Sequence, residues 1–245
     1  MSNSLTIFVR NDLKMRKGKM AAQSGHAAMK LFFESMVQTH GRMTLLSKQH
    51  AEFLEFFRNP VVDICMVEDE TKLASVLASL SPTSVIVDNG RTEFHGVPTT
   101  TCAAHGIFSP CDLTLLNVPQ TYGTEIKSKQ IFVFNKDKPL SKEKACQQAV
   151  ISCLKLLYSE MLTDDYGNKY FDLFQKNALT DWIMNAFAKI ALSTKTMAEL
   201  DEVERQLKAA GFVVERIVDD GNDCLCVSPQ YPDDIDPITR HLSLI

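Results

Sequence analysis

The sequence predicts an α/β protein built from two similar three-layer α/β/α units, each with a small mixed sheet of roughly four strands covered by helices. Two observations predict this class. Short apolar runs rich in β-branched residues alternate with segments of helical spacing, and the same order occurs twice along the chain. The length of 245 residues suits two domains of about 100 to 150 residues.

The repeat is visible as matched residues. Four residues of the first half recur at one constant offset, namely Lys19, Gln23, Lys30 and Met36 as Lys144, Gln148, Lys155 and Met161. The run VIVDNG at 85–90 also matches RIVDDG at 216–221. A polar stretch near residues 122–129 separates the halves. We therefore expect a first copy at residues 1–122 and a second copy at residues 123–245.

Each element of the first copy is predicted from its pattern. Strands are short apolar runs ended by turn residues, and helices are longer segments with apolar residues three or four apart. In order, the first copy is predicted to contain a strand at 5–9, helices at 17–37 and 47–58, a buried strand at 61–67, a helix at 69–80, and strands at 83–88 and 99–104. The corresponding pieces of the second copy are 130–134, 141–162, 170–187, 189–193, 196–210, 212–219 and 223–228.

Composition narrows the function classes. The net charge of −4 argues against a surface coated with cations for nonspecific nucleic-acid binding. The seven cysteines are odd in number and form no C-x-x-C pair, so we expect buried thiols in a reducing compartment. No apolar run reaches transmembrane length or forms a secretory leader, which predicts a cytoplasmic protein without membrane attachment.

One local basic patch stands out. Within ten residues, five cations are opposed only by Asp12. They are Arg10, Lys14, Arg16, Lys17 and Lys19. Such a patch can contact phosphates even in an acidic protein, or it can be a solvated charged loop; charge alone leaves both interpretations open.

A polar stripe on the first long helix is a candidate site. Lys19, Gln23, His26 and Lys30 are spaced by four, three and four residues, which places them on one helical face. Asp88 ends a predicted strand, at the position where α/β sheets usually bind ligands. A carboxylate facing Lys19 and His26 suits proton transfer. The alternative is a salt bridge that closes a turn.

Two motifs resemble signatures of the type II peptidyl-tRNA hydrolases. The segments RNDLKM (10–15), KGKMAAQ (17–23) and GHAA (25–28) resemble the opening signature, and DNGRT (88–92) resembles the second. The resemblance extends more weakly over most of residues 5–110. Arg16, Asn89 and Glu93 depart from the family, which commonly has glycine, alanine and glutamine there.

The resemblance implies hydrolysis of the ester that joins a peptide to the terminal ribose of tRNA, with no metal or organic cofactor. The residues implied as catalytic are Lys19, His26, Asp88 and Thr92. Those implied as substrate-binding are Asp12, Lys14, Arg16, Lys17, Gln23 and Arg91. As a hypothesis, Lys19 supplies positive charge near the reacting centre and Asp88 orients it or activates water, while His26 assists proton transfer or substrate placement.

The resemblance also implies a homodimer, for which a tandem copy offers a substitute. The second copy would pack on the first as a pseudo-subunit within a monomeric chain. It retains Lys144, Gln148 and Asp219, but Ile151 replaces His26, and Asn222 and Asp223 replace Arg91 and Thr92. We therefore expect an inactive second site.

Two other functions compete with the hydrolase. The same fold could serve as a catalytically inactive module that binds tRNA or protein, since the altered turn and the acidic net charge are compatible with lost activity. It could also hydrolyse another acyl ester or amide, which would require no basic groove. Trp182, the only tryptophan, is expected in the core rather than at a ligand.

Overall fold

The structure is a computed structural model that describes residues 4–39, 41–108 and 125–245. The first copy runs β1 (Ser4–Arg10), α1 (Lys17–Glu34), β2 (Val37–Thr39), β3 (Arg42–Leu45), α2 (Ser47–Arg58), β4 (Val61–Val67), α3 (Glu70–Leu77), β5 (Thr83–Asp88) and β6 (Thr99–Gly106). The second copy runs β7 (Lys129–Asn135), α4 (Lys142–Ser159), β8 (Leu162–Thr163), β9 (Lys169–Asp172), α5 (Ala178–Ile183), β10 (Lys189–Thr194), α6 (Met197–Ala209), β11 (Val214–Ile217) and β12 (Cys224–Gln230), and continues with α7 (Pro232–Thr239) and β13 (Ser243–Leu244). The predicted α/β class is confirmed.

Each copy has its own mixed sheet, and equivalent strands hold equivalent places. The first sheet has the order β4-β1-β6-β5, and the second has the order β11-β12-β7-β10-β13. β1 pairs parallel with β4 and antiparallel with β6. β7 pairs parallel with β10 and antiparallel with β12. The matching topology follows from the repeated order of strands and helices in the sequence.

Helices cover both faces of each sheet, and the middle layer is shared. α3 packs on β1, β4 and β6, while α6 packs on β7, β10 and β11. α1 packs on β5 and β6 and contacts β10 of the second copy; α4 packs on β11 and β12 and contacts β4 of the first. Because α1 and α4 also pack on each other, one hydrophobic core draws buried residues from both copies.

A third, small sheet joins the copies and was not predicted. Its order is β2-β3-β9-β8, with β3 and β9 antiparallel. Met43 lies opposite Phe171 in this pairing, and both are buried. Strands of two to four residues carry too little periodicity to be recognised in a sequence. Their stability comes from the partner hairpin, which the sequence does not reveal.

Two predicted elements are therefore wrong in part. The helix predicted at 17–37 ends at Glu34, and Val37 begins β2. The piece at 170–187, predicted to correspond to the second helix of the first copy, is a strand at Lys169–Asp172 followed by the short helix α5. Asn177 starts α5 with a capping box: its side chain accepts the Thr180 N–H at 2.9 Å, which fixes a helix start well inside the predicted segment.

Most remaining predictions differ from the structure by a few residues. The strand predicted at 212–219 is confined to Val214–Ile217. The cysteines of the described part are buried except Cys65, which is half-buried, while Cys111 lies outside the described residues. Trp182 is a core residue, as predicted, at 1% exposure. The predicted boundary at 122/123 also falls outside the described residues. In the described ranges, no helix combines the length and apolar character needed to span a membrane.

Candidate active site

Asp88 is the centre of a hydrogen-bonded cluster at the end of β5. Its Oδ2 accepts Lys19 Nζ at 2.5 Å and Gln23 Nε2 at 2.6 Å. Its Oδ1 accepts the Gly90 N–H at 2.7 Å. Gly90 has φ +75°, and a Cβ there would lie 2.6 Å from Val97 N, so only glycine fits this turn. The strand end, the turn and one face of α1 together hold the carboxylate.

Lys19 is oriented by three neighbours. Beyond Asp88, its Nζ donates to Thr92 Oγ1 at 3.1 Å and lies 5.6 Å from the centre of the Phe94 ring. The side chain is 15% exposed. Since a lysine ammonium has three N–H donors, these two hydrogen bonds leave one donor for a substrate.

Gln23 is buried and its amide orientation is fixed. It is 3% exposed, donates to Asp88, and accepts from Thr101 Oγ1 at 3.2 Å through Oε1. Thr101 lies on β6, next to the site only because β6 pairs with β5. Sequence reasoning missed it because no motif marks this residue.

His26 faces the second copy. Its Nε2 donates to the Phe187 carbonyl at 2.7 Å, since that oxygen can only accept. Burial, followed by the nearby charge of Lys189, lowers the pKa of His26 to about 3. The imidazole is therefore neutral at neutral pH. Asp88 was predicted to face both Lys19 and His26, yet its hydrogen-bonded partners on α1 are Lys19 and Gln23.

The cations of the basic patch contact different partners. Arg16 pairs with Glu93 at 2.8 Å, at the edge of the site. Arg10 holds Asp12 at 2.7 Å, and Lys17 donates to the Leu140 carbonyl of the second copy. Lys14 is exposed, with φ 48°. The cations therefore do not form one continuous surface.

A cavity of about 450 Å³ brings most of the predicted residues together. Its wall includes these sequence-predicted residues: Arg16, Lys19, Gln23, His26, Asp88, Arg91 and Thr92. Asp12, Lys14 and Lys17 do not line it. The opposite wall comes from the second copy, with Ile126, Ala188, Ile190, Leu244 and Ile245 among its residues. Sequence reasoning missed this wall, since nothing in the motifs indicates which distant segment packs there.

The equivalent place in the second copy keeps only part of the cluster. Lys144 Nζ lies 3.0 Å from Asp219 Oδ1, and Gln148 Nε2 donates to Asp219 Oδ2 at 3.2 Å. Asp223, which aligns with Thr92 by sequence alone, lies directly before β12, is 4% exposed and accepts from Arg216 at 2.8 Å. Strand register places it at the position that Thr100 holds in the first copy, so its ion pair with Arg216 does not take the place of Thr92 beside the lysine.

The chemistry available to the first site is that of a positioned cation, a carboxylate and neutral donors. Within the described ranges, no group of three His, Cys, Asp or Glu residues is arranged to hold a metal ion. The first site thus offers a donor for developing negative charge and an acceptor for a proton, next to an open cavity.

Comparison with known proteins identifies the repeated unit. The family model described as peptidyl-tRNA hydrolase PTH2 matches residues 3–111 and again residues 128–245, so the tandem duplication is confirmed. A peptidyl-tRNA hydrolase of Metallosphaera sedula is 37% identical over 103 residues, which cover 42% of this chain and 84% of the relative. One of Pyrobaculum aerophilum is 35% identical over 107 residues, covering 42% and 83%. One of Methanococcus maripaludis is 32% identical over 98 residues, covering 36% and 71%.

Proposed function

The chain belongs to the PTH2 family of peptidyl-tRNA hydrolases, and from that premise we propose that its first copy hydrolyses the ester between a peptide and the terminal ribose of tRNA. One observation carries the proposal. The Lys19–Asp88–Gln23 cluster, formed by the two motifs that resemble the family signatures, borders an open cavity. The second copy is proposed to be inactive.

The geometry suggests a role for each residue. A carboxylate has about four acceptor positions, and Asp88 uses three for Lys19, Gln23 and Gly90. The fourth can accept a proton from the attacking water, and the carboxyl group can return that proton to the ribose oxygen when the ester C–O bond breaks. The unused N–H of Lys19 can stabilise the negative charge that develops on the ester carbonyl. Thr92 and Gln23 hold these groups in place, and neutral His26 positions the substrate rather than supplying a proton from an imidazolium.

The phosphates of the tRNA acceptor end are proposed to meet Arg16 and Arg91 at the cavity rim. Both side chains are exposed there. Contacts between cations and phosphates weaken as salt rises, because binding releases counterions. A steep fall of kcat/KM with salt, flattened by Arg91→Gln, is the expected result for a tRNA substrate.

The test is release of peptide from diacetyl-lysyl-tRNA by the wild type, Lys19→Ala and Asp88→Ala. We expect turnover by the wild type and a loss of about 100- to 1000-fold in both variants, comparable to removing one oxyanion donor. Binding of tRNA without turnover by the wild type would favour the inactive binding module. Equal hydrolysis of a small blocked amino-acid ester without tRNA would favour a general esterase.

We also propose that the two copies form an intramolecular pseudo-dimer. Lys142 Nζ donates to the Met15 carbonyl at 2.8 Å, and Lys17 Nζ donates to the Leu140 carbonyl. Because Lys142 is the repeat equivalent of Lys17, and Leu140 that of Met15, the contact is reciprocal, as in a two-fold symmetric interface. The contacts of α1 with β10 and of α4 with β4 are reciprocal as well. Sedimentation at the mass of one chain is expected; a dimer joined through two first-copy faces would contradict the proposal.

A further inference from the structure

Two cavities meet at the catalytic cluster. Besides the cavity of about 450 Å³, a second of about 390 Å³ runs along α1. Both are bordered by Gln23, His26, Asp88, Asn89 and Ala186. The carboxylate of Asp88 therefore lies at their junction. The proposed substrate has a peptide on one side of the reacting carbon and a ribose on the other. Each of the two groups therefore requires its own space next to the cluster.

The two cavities differ in charge. The larger one is bordered by five cations, namely Arg16, Lys19, Arg91, Lys129 and Lys189, against the carboxylates of Asp88 and Glu93. Arg16 pairs with Glu93, Lys19 with Asp88 and Lys129 with Asp236, so cations remain in excess around this cavity. In the smaller one, the cation Lys30 lies 3.6 Å from the carboxylate of Glu34, so the two charges offset each other. Its remaining walls carry apolar surface from Met29, Phe33 and Phe187. Phosphates are therefore favoured in the larger cavity and an uncharged chain in the smaller one.

The dimensions of the smaller cavity suit an extended peptide. Its α1 wall runs from Gln23 to Glu34, which is about 16 Å at a rise of about 1.5 Å per residue. An extended chain rises about 3.3 Å per residue, so four or five residues span this wall. The amide side chains of Gln38 and Asn185 also border the cavity and can bond a peptide backbone.

The second copy builds the opposite wall and fixes it firmly. The Ala186 N–H donates to the Glu125 carbonyl at 3.2 Å, and Asn185 Nδ2 donates to the Asp181 carbonyl at 2.7 Å. Phe187, with φ 50°, directs its carbonyl to His26 and packs its ring 6.1 Å from that of Phe33. Its ring also lies 5.4 Å from that of Trp182, centre to centre. This wall is therefore held by contacts within the protein itself.

We propose that the smaller cavity binds the last four or five residues of the peptide in extended form, and that the second copy thereby helps to set substrate preference. Apolar side chains of the peptide pack against Met29, Phe33 and Phe187. The proposal rests on the proposed hydrolase function and adds where the peptide lies. It also gives the inactive copy a direct part in substrate binding.

The experiment compares two substrates made on one tRNA body, N-acetylglycyl-tRNA and N-acetyl-Leu-Leu-Phe-tRNA. The wild type is expected to show a kcat/KM roughly 10-fold higher for the longer, apolar peptide, since apolar contacts of this size change specificity by that order. Asn185→Trp, in the second copy, and Gln38→Trp, in the first, both reduce the space in the cavity. Each should lower kcat/KM for the tripeptide about 10-fold and change that for N-acetylglycyl-tRNA less than about 3-fold.

The control is Val218→Trp, since Val218 is an exposed second-copy residue that borders neither cavity; it should change neither rate. Two variants are used because either tryptophan could disturb folding, which the melting temperature reports. Equal losses for both substrates in the variants, or an absent wild-type preference, would overturn the peptide site while leaving the hydrolase function intact. Failure of the wild type to cleave either substrate would overturn both.

Discussion

The two copies share one fold and one three-residue cluster, but they differ in the connection that follows the cluster aspartate. Lys19, Gln23 and Asp88 correspond to Lys144, Gln148 and Asp219, and in both sets the lysine and the glutamine contact the carboxylate. In the first copy they share one carboxylate oxygen, whereas in the second copy they contact different oxygens. In the first copy, residues 89–98 connect β5 to β6; in the second, residues 218–223 connect β11 to β12. The longer connection carries Thr92 and Phe94, which contact Lys19.

This difference teaches what the cluster alone can do. A Lys–Asp–Gln cluster closes the turn after a strand in both copies, so its persistence in the second copy is explained by structure. The long loop and His26 distinguish the first copy, and both cavities border its cluster. Under the proposed function, the salt-bridge interpretation of the motif applies to the second copy and the catalytic interpretation to the first.

The largest predicted effect contrasts equivalent lysines. Lys19→Ala should lower peptide release about 100- to 1000-fold, because it removes the donor nearest the reacting carbonyl. Lys144→Ala should change the rate less than about 3-fold, since it lies in the second cluster. The measurement is kcat/KM on diacetyl-lysyl-tRNA. Comparable losses in the two variants would mean that both sites are active.

A second contrast concerns pH, because Ile151 stands where the first copy has His26. The pKa of His26 is lowered to about 3, against an unfolded value of about 6.5. Between about pH 3 and pH 6.5, His26 therefore binds a proton in the unfolded chain but not in the folded chain. The part of the free energy of unfolding that depends on neutral His26 is fully present above about pH 6.5 and is lost as pH falls toward 3. At pH 4 the loss is on the order of 3 kcal/mol.

Urea unfolding of the wild type and of His26→Ile at pH 7 and pH 4 measures this contribution. Between pH 7 and pH 4, the free energy of unfolding should fall by on the order of 3 kcal/mol more in the wild type than in His26→Ile. His26→Gln, which retains a donor for the Phe187 carbonyl, separates the titration from the lost hydrogen bond. A parallel decline in all three proteins would show that His26 is not the acid-sensitive group.

The reciprocal contact gives a third prediction. Lys17→Met and Lys142→Met should each destabilise the fold by about 1–2 kcal/mol, because each removes one charged hydrogen bond between the copies. The exposed Lys136→Met is the control, with an expected change within about 0.5 kcal/mol. Unequal effects in the matched pair, measured by urea unfolding, would break the pseudo-two-fold relation. A reduced salt slope of kcat/KM for Lys17→Met would show that Lys17 also contacts phosphate.

The smallest predicted effect concerns the hydrogen-bond partner of the side-chain oxygen of Gln23 and of its equivalent, Gln148. Strand register places Cys224 where the first copy has Thr101, and the buried Oε1 of Gln148 lacks the hydroxyl partner that Gln23 has. Cys224→Thr should stabilise the protein by up to about 1 kcal/mol, and Thr101→Val should cost about 1–2 kcal/mol. Thermal unfolding of both variants checks the pair; a destabilised Cys224→Thr would contradict the register argument.

The sequence was sufficient to predict those parts of the site whose positions depend on local structure. Helical spacing placed Lys19 and Gln23 on one face, and the end of a strand placed Asp88 near them. Thr101 and Phe187 were missed because only strand pairing and packing of the copies bring them to the site. The sheet shared by the copies was missed for the same reason, since its short strands are stabilised by distant partners.

The pairing of α1 with α4 within one chain has an evolutionary consequence. In a symmetric homodimer, every substitution occurs at two equivalent positions, so a change that improves one role of the interface is imposed on both active sites. Fusion removes that constraint, and the covalent link keeps the second copy at a high effective concentration without a separate assembly step. The Phe187 segment could thus change independently of its first-copy equivalent, converting a redundant catalyst into a dedicated wall for its neighbour's substrate.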